Sequence, residues 1–319
     1  MFLRHAIVSL RVNQRRRQLW AISLVALLLS VIGIALCWTS PSIGAPLRPG
    51  LDFTGGTQIQ IERRCADGCG ALRGSEVEAR LASLALPPDN DQLPPNLRGA
   101  GVQLLDGGRQ LLLRLPSLSP EQGQAVIDAL TPVLGETVPG GLSVETIGPT
   151  LGSRLLRASL ISLLVSFLGI ALYISVRYDR VFALLALLCL AHDVLITCGL
   201  FAWLGLLAGV EVNSLFAVAL LTIAGYSVND TVVIFDRIRE KRTQLQGSSL
   251  ADQADAAVAA TLTRSLYTSF TTLLPLLALV LFGGSTLFWF AVALSIGVVV
   301  GAWSSVAIAP TLLPLFSRP

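Results

Sequence analysis

Six apolar stretches recur along the chain, at about 19–38, 157–176, 181–204, 212–235, 262–282 and 286–309. Each is near the ~20 residues that an α-helix needs to cross the hydrocarbon of a bilayer. In lipid every backbone polar group has to be bonded internally, so runs of this kind become helices that pack as a bundle. Apolar residues make up 53% of the chain and charged residues 13%, whereas a soluble surface carries roughly 25–35% charge. Mean hydropathy is +0.70. A fully soluble enzyme, a disordered tail protein and a nucleic-acid-binding domain are excluded. The first run follows a basic start, as in a signal peptide. Its length and its continuation into Cys37-Trp38 favour a retained span over a cleaved leader.

Basic residues orient the spans. Arg4, Arg11, Arg15, Arg16 and Arg17 precede the first, Arg177 and Arg180 lie between the second and third, and Arg237, Arg239, Lys241 and Arg242 follow the fourth. The opposite links, 206–211 and 283–286, contain no Lys or Arg. Both termini are therefore expected in the cytoplasm, although Arg154 and Arg157 at the outer start of the second span go against the trend. The expected division is a cytoplasmic tail 1–18, a first span 19–38, an extracytoplasmic domain 39–152, five further spans within 153–312, and a cytoplasmic tail 313–319.

Residues 39–152 contain eight basic and twelve acidic residues, as a water-facing domain should. Gln58-Ile59-Gln60-Ile61 alternates like a half-buried strand. Ser75 to Leu84 has Val77, Leu81 and Leu84 at helical spacing, with Glu76 and Glu78 in the first turn. Val102–Leu105 and Gln110–Leu115 flank the turn Asp106-Gly107-Gly108-Arg109. Ser119-Pro120-Glu121 opens a second helix, and Leu142–Thr146 closes as a strand. This strand–helix–strand–strand–helix–strand order predicts a ferredoxin-like α+β domain. It holds no His and no convergent carboxylates, which points to binding, docking or movement rather than catalysis. Cys65 and Cys69 are open to a disulfide, to free thiols, or to half of a zinc site whose other ligands are missing.

The informative residues are the polar ones inside the spans, because an ionisable group there marks a functional site by default. Thr222, Tyr226, Asn229 and Asp230 share one side of the fourth helix. Arg264, Ser265, Thr268, Thr271 and Thr272 share one side of the fifth. Depth matching predicts an Asp230–Arg264 pair. His192 and Asp193 add a histidine and a second carboxylate to the third span. Together these groups suit a proton path, and the opposing reading is a buried network that only fixes helix packing. Gly297 and Gly301 form a small-xxx-small pair in the sixth span.

The sequence resembles the SecF family, the smaller membrane subunit of the bacterial SecD–SecF export factor. The matching residues are Leu51-Asp52-Phe53-Thr54-Gly55-Gly56-Thr57, Gly148-Pro149-Thr150-Leu151-Gly152, Ala191-His192-Asp193, the stretch from Ala224 to Glu240, and Arg264 to Ser269 followed by Thr271-Thr272. The resemblance implies a polytopic α-helical membrane protein, half of a bundle like that of the resistance-nodulation-division transporters. Its expected role is to assist Sec-dependent preprotein translocation with the proton-motive force. Expected partners are SecD, the SecYEG channel, YajC and YidC, with SecA acting upstream and the preprotein passing through. The resemblance assigns a proton relay to Asp230 and Arg264, extended to Asp193, and a junction motif to Asp52, Gly55 and Gly56; His192, Tyr226, Asn229 and Thr268 are the supporting polar network read from the spans themselves. The segments 62–73 and 87–95 are longer than such proteins lead one to expect.

No phosphate-binding glycine loop with its lysine occurs, so any nucleotide hydrolysis belongs to a partner. No enzyme activity, cofactor, metal or nucleic acid is expected. The competing functions are half of a small-molecule transporter of the resistance-nodulation-division type and a non-transporting membrane scaffold. The expected location is the plasma (inner) membrane, or a thylakoid membrane in a photosynthetic source.

Overall fold

The structure, a computed structural model, describes residues 11–64, 72–88, 94–98 and 100–316. Cys65 and Cys69 lie outside the described residues. The first elements are helix α1 (Arg16–Thr39), the short α2 (Leu51–Thr54), strand β1 (Gly56–Arg63), α3 (Gly74–Ala82), β2 (Gly101–Leu105) and β3 (Gln110–Leu115). Then come α4 (Pro120–Leu134), β4 (Thr137–Ile147), α5 (Pro149–Arg177), α6 (Arg180–Leu207), α7 (Ser214–Gln244) and α8 (Leu250–Phe282). The chain ends in α9 (Gly284–Trp303), a π-helical turn (Ser304–Ile308) and α10 (Ala309–Phe316). Among the described residues six helices are long and apolar enough to cross a membrane, the last of them continuous from Thr286 through the π-turn to Phe316. The protein is thus a polytopic α-helical membrane protein with a separate α+β unit. That unit is Gly50–Ala158, and the bundle is formed by the chain before and after it. Arg48 and Pro49 go with the bundle because the Val212 N–H donates to the Arg48 carbonyl at 2.9 Å, and Pro49 bridges to Val212.

The α+β unit is a four-stranded antiparallel sheet in the order β2-β3-β1-β4. Alternation along β1 and β3 sends Ile59, Ile61, Leu111 and Leu113 to one face, where all four are fully buried. Val77 and Leu81 of α3 and Val126 and Leu130 of α4 cover that face. A capping box starts α4, with the Ser119 side chain accepting from the Gln122 N–H and the Gln122 side chain accepting from the Ser119 N–H. The turn before β3 has Gly107 and Gly108 at φ of 63° and 90°, a left-handed backbone that glycine adopts without strain.

In the bundle, α6, α7 and the last span are about half buried, whereas α1, α5 and α8 are mostly exposed. Phe182, Leu185, Ile234 and Phe235 belong to the apolar centre, with the Phe182 and Phe235 rings edge-on at 4.8 Å. On the link between α5 and α6, Tyr178 packs against Phe235; burial first, then the nearby Asp236 charge, pushes its phenol up to about 12. Helices in lipid gain little from apolar burial against each other, so small residues permit the close approach. A Cβ on Gly199 of α6 would lie 2.1 Å from the Ser30 Cβ of α1, and one on Gly297 of α9 would lie 2.2 Å from the Ile223 side chain of α7. Gly301, one turn on, faces Ser227 and Asp193.

Helices α7 and α8 extend well beyond their apolar stretches and form a hairpin, with Ser249 capping α8 by accepting from the Asp252 N–H. Asp230 lies 14 residues before the end of α7 at Gln244, and Arg264 lies 14 residues after the start of α8 at Leu250. Both are therefore about 21 Å from the hairpin tip at 1.5 Å per residue.

Gly199→Val is expected to destabilise the bundle by about 1–3 kcal/mol through overpacking. Gly169→Val, whose Cβ would meet nothing within 4 Å, should unfold like the parent. Thermal unfolding in detergent compares the two.

Candidate functional site

Two carboxylates sit inside the bundle. Asp193 is completely buried and Asp230 is 8% exposed. The first lies on α6 beside His192, whose Nδ1 is 2.8 Å from Asp193 Oδ1. Ser227 of α7 donates to Asp193 Oδ2 at 2.5 Å, and Ser304 of the π-turn donates to the same oxygen at 2.7 Å. Asp230 is one turn beyond Ser227 on α7. Its Oδ1 accepts from Ser265 of α8 at 2.7 Å, and its Oδ2 accepts from Ser305 of the π-turn. Adjacent serines on one turn thus serve two different acids. A π-helical turn is a wider register often found at functional sites.

The donors are informative. Among the described residues, no Lys or Arg pairs with Asp193 or Asp230; their side-chain partners are Ser227, Ser265, Ser304, Ser305 and His192. A hydroxyl donates to a carboxylate and can equally accept from a carboxylic acid, whereas a guanidinium has only donors. A shell of hydroxyls therefore satisfies either protonation state, which an acid that gains and loses a proton requires. A buried carboxyl with no such partners would be strongly unfavourable.

Asp230 and Arg264 lie equally far from the hairpin tip, but the expected Asp230–Arg264 pair is not formed. Arg264 is exposed, and the next residue, Ser265, occupies the side of α8 that faces α7. One residue is a rotation of about 100° on a helix of 3.6 residues per turn. The small serine fits the tight α7–α8 contact and the long guanidinium points away. The expected polar side of α7 is split for the same reason. Asp230 turns inward, Tyr226 bonds Ser269 of α8 at 2.9 Å, and Thr222 and Asn229 are exposed. On α8, Thr268 is exposed and donates to the Arg264 carbonyl at 2.8 Å, so it does not join the network around Asp230. Ser227, Ser265, Ser304 and Ser305 were not singled out by sequence as ligands of the acids. For the last two the linear sequence offers only an adjacent serine pair in an otherwise apolar run, which by itself does not mark a ligand.

The junction residues lie in the α+β unit. Gly55 and Gly56 have φ of 68° and 121° between α2 and β1. A Cβ on Gly56 would lie 2.6 Å from the Leu115 carbonyl oxygen, and one on Gly55 would lie 2.9 Å from the Pro149 Cα. These glycines are required sterically. Asp52 lies in the first turn of α2, just before them.

Residues 135–318 match the family described as protein export membrane protein SecD/SecF, C-terminal, and residues 42–66 match the SecD/SecF GG motif. The first match contains Asp193, Asp230 and Arg264, and the second contains Asp52, Gly55 and Gly56. The protein translocase subunit SecF of Prochlorococcus marinus is 54% identical over 96% of this chain and 95% of its own. That of Synechocystis sp. is 42% identical over 92% and 90%. The crystal structure of SecDF, a translocon-associated membrane protein from Thermus thermophilus, is similar with a TM-score of 0.74 at 31% identity. The similarity covers 92% of this chain and 37% of that longer one. The crystal structure of SecDF in a super-membrane-facing form gives a TM-score of 0.62 at 30% identity, over 94% and 38%.

Ser305→Ala removes one of the two hydroxyl donors to Asp230 and is expected to cost about 1–3 kcal/mol of stability. Ser295→Ala is the control, because that hydroxyl donates only to the Ala291 carbonyl of its own helix, and it should change stability by less than about 0.5 kcal/mol. Denaturation midpoints of the two variants test the assignment.

Proposed function

The chain belongs to the SecF/SecDF family of protein-export membrane proteins and works in Sec-dependent protein translocation, and from that premise we propose that Asp230 couples the proton-motive force to preprotein movement. The observation that carries this reading is the setting of Asp230: a carboxyl buried in a span, held by hydroxyls from two other helical segments. A change of charge there alters the bonding of α7, α8 and the last span together, so protonation becomes helix movement. Asp193, with His192, is the second acid of the same relay.

Arg264 belongs to the relay through its depth. It lies beside Ser265 and at the level of Asp230, so a rotation of α8 exchanges a hydroxyl for a cation at the carboxyl. A nearby cation favours the ionised form, which would drive release of the proton. Tyr226 supports the α7–α8 contact through Ser269.

The exposed side of α7 and α8 carries Asn229, Arg264, Tyr267, Thr268 and Thr271. Polar groups of this kind in a span need protein or water rather than lipid. A SecD subunit supplying six further spans covers that side, and Asn229 and Thr268 then lie in the interface. The assembly acts at the SecYEG channel with YajC and YidC, after SecA has driven the preprotein in. The antiparallel sheet order β2-β3-β1-β4, together with α3 and α4 on one face, supports a ferredoxin-like fold for the extracytoplasmic unit. We divide the chain accordingly into a six-span half bundle and one moving outer domain.

Asp230→Asn in a reconstituted SecD–SecF complex with the translocon is expected to abolish stimulation of export by a proton gradient. The ATP-driven step and assembly of the complex should be retained. Unchanged stimulation would make Asp230 a structural residue.

A further inference from the structure

His192 has two ring nitrogens in different situations. Nδ1 is 2.8 Å from Asp193 Oδ1, whereas Nε2 is buried and has no hydrogen-bond partner. The side chain is only 6% exposed. A buried polar atom without a partner is rare and calls for a function or a transient ligand. His192 is one of the residues lining a shallow groove of about 510 Å³ between α1 and the last span. Arg17, Trp20, Ala21, Leu24 and Leu27 line it along one stripe of α1, opposite Leu312. From Arg17 to Leu27 the stripe is about 15 Å long at 1.5 Å per residue. Arg17 belongs to the basic cluster that marks the cytoplasmic end. The groove therefore leads from the cytoplasmic side to the level of the otherwise enclosed Asp193.

We propose that His192 is the cytoplasmic proton port of the relay, passing protons between Asp193 and water that enters the α1 groove. This rests on the reading of Asp230 as a proton carrier. A proton leaves Asp230 through the Ser305 hydroxyl, is carried by an intervening water to the Ser304 hydroxyl on Asp193, and each hop breaks one O–H bond as the next forms. It reaches the Asp193 carboxylate and passes to His192 Nδ1. The imidazolium so formed loses its Nε2 proton to water in the groove, leaving a neutral ring in the other tautomer and no net charge on the histidine. Return of the ring to its first tautomer prepares the next transfer. The largely apolar walls admit water only intermittently, and dewetting of such a passage acts as a gate. The serine pair on the π-turn holds the two acids, one each, and the histidine gives the inner one its exit.

The test is proton flux into vesicles containing the SecD–SecF complex, read with an enclosed pH dye. Three variants are compared. His192→Ala should lower flux about tenfold or more, and imidazole on the cytoplasmic side should restore much of it, a rescue that loss of a merely structural contact would not show. Ala21→Phe fills the groove from an exposed position on α1 and should slow flux without touching the polar network. Asp230→Asn should abolish flux with or without imidazole. Failure of rescue, or normal flux in Ala21→Phe, overturns the port while a dead Asp230→Asn leaves the parent reading standing. Normal flux in Asp230→Asn overturns both. Should His192→Ala not assemble, Ala21→Phe decides alone: slowed flux supports the port and normal flux overturns it.

Discussion

A carboxylate inside a membrane bundle needs partners, and here the partners are hydroxyls. Asp193 and Asp230 take donors from α6, α7, α8 and the π-turn. Each of those segments is consequently fixed in rotation by a polar contact as well as by apolar packing. The glycines at 199 and 297 let the helices come close enough for short serine side chains to reach across. Ile234 and Phe235 of the apolar centre lie on the same helix as Asp230, about one turn on. Removing any one donor leaves a charged group short of a bond in a medium where water cannot replace it. The hydroxyl shell thus holds the bundle in register, and its members can bond the acids with or without a proton.

Much of this was legible in the sequence, and the limit has a physical form. Hydropathy reports position along the membrane normal, so the six spans could be read directly. Rotation about each helix axis is set by which side chains fit between neighbours. Ser265 fits against α7 where Arg264 does not, and nothing in the linear pattern decided between them. The serine ligands were hidden for a related reason. A serine in an apolar helix usually bonds its own preceding carbonyl, as Ser295 does, so Ser304 and Ser305 look ordinary until the π-turn aims them at two acids.

The α+β unit was more readable because its signals are local. Alternation placed Ile59 and Ile61 on the buried face, and Ser119-Pro120 marked the start of α4. The glycine pair before β1 was readable as a junction. Its reason, a carbonyl and a proline backbone closer than a side chain allows, needed three dimensions.

The π-turn has a mechanical consequence. Since Ser304 and Ser305 are consecutive, the last span cannot shift by a fraction of a turn at one acid and stay still at the other. The turn is a yoke: one backbone displacement is felt twice, in two pockets, at the same moment. Thermodynamic reciprocity makes any coupling the turn carries between the two pockets equal in both directions, even though the two carboxyls need never touch.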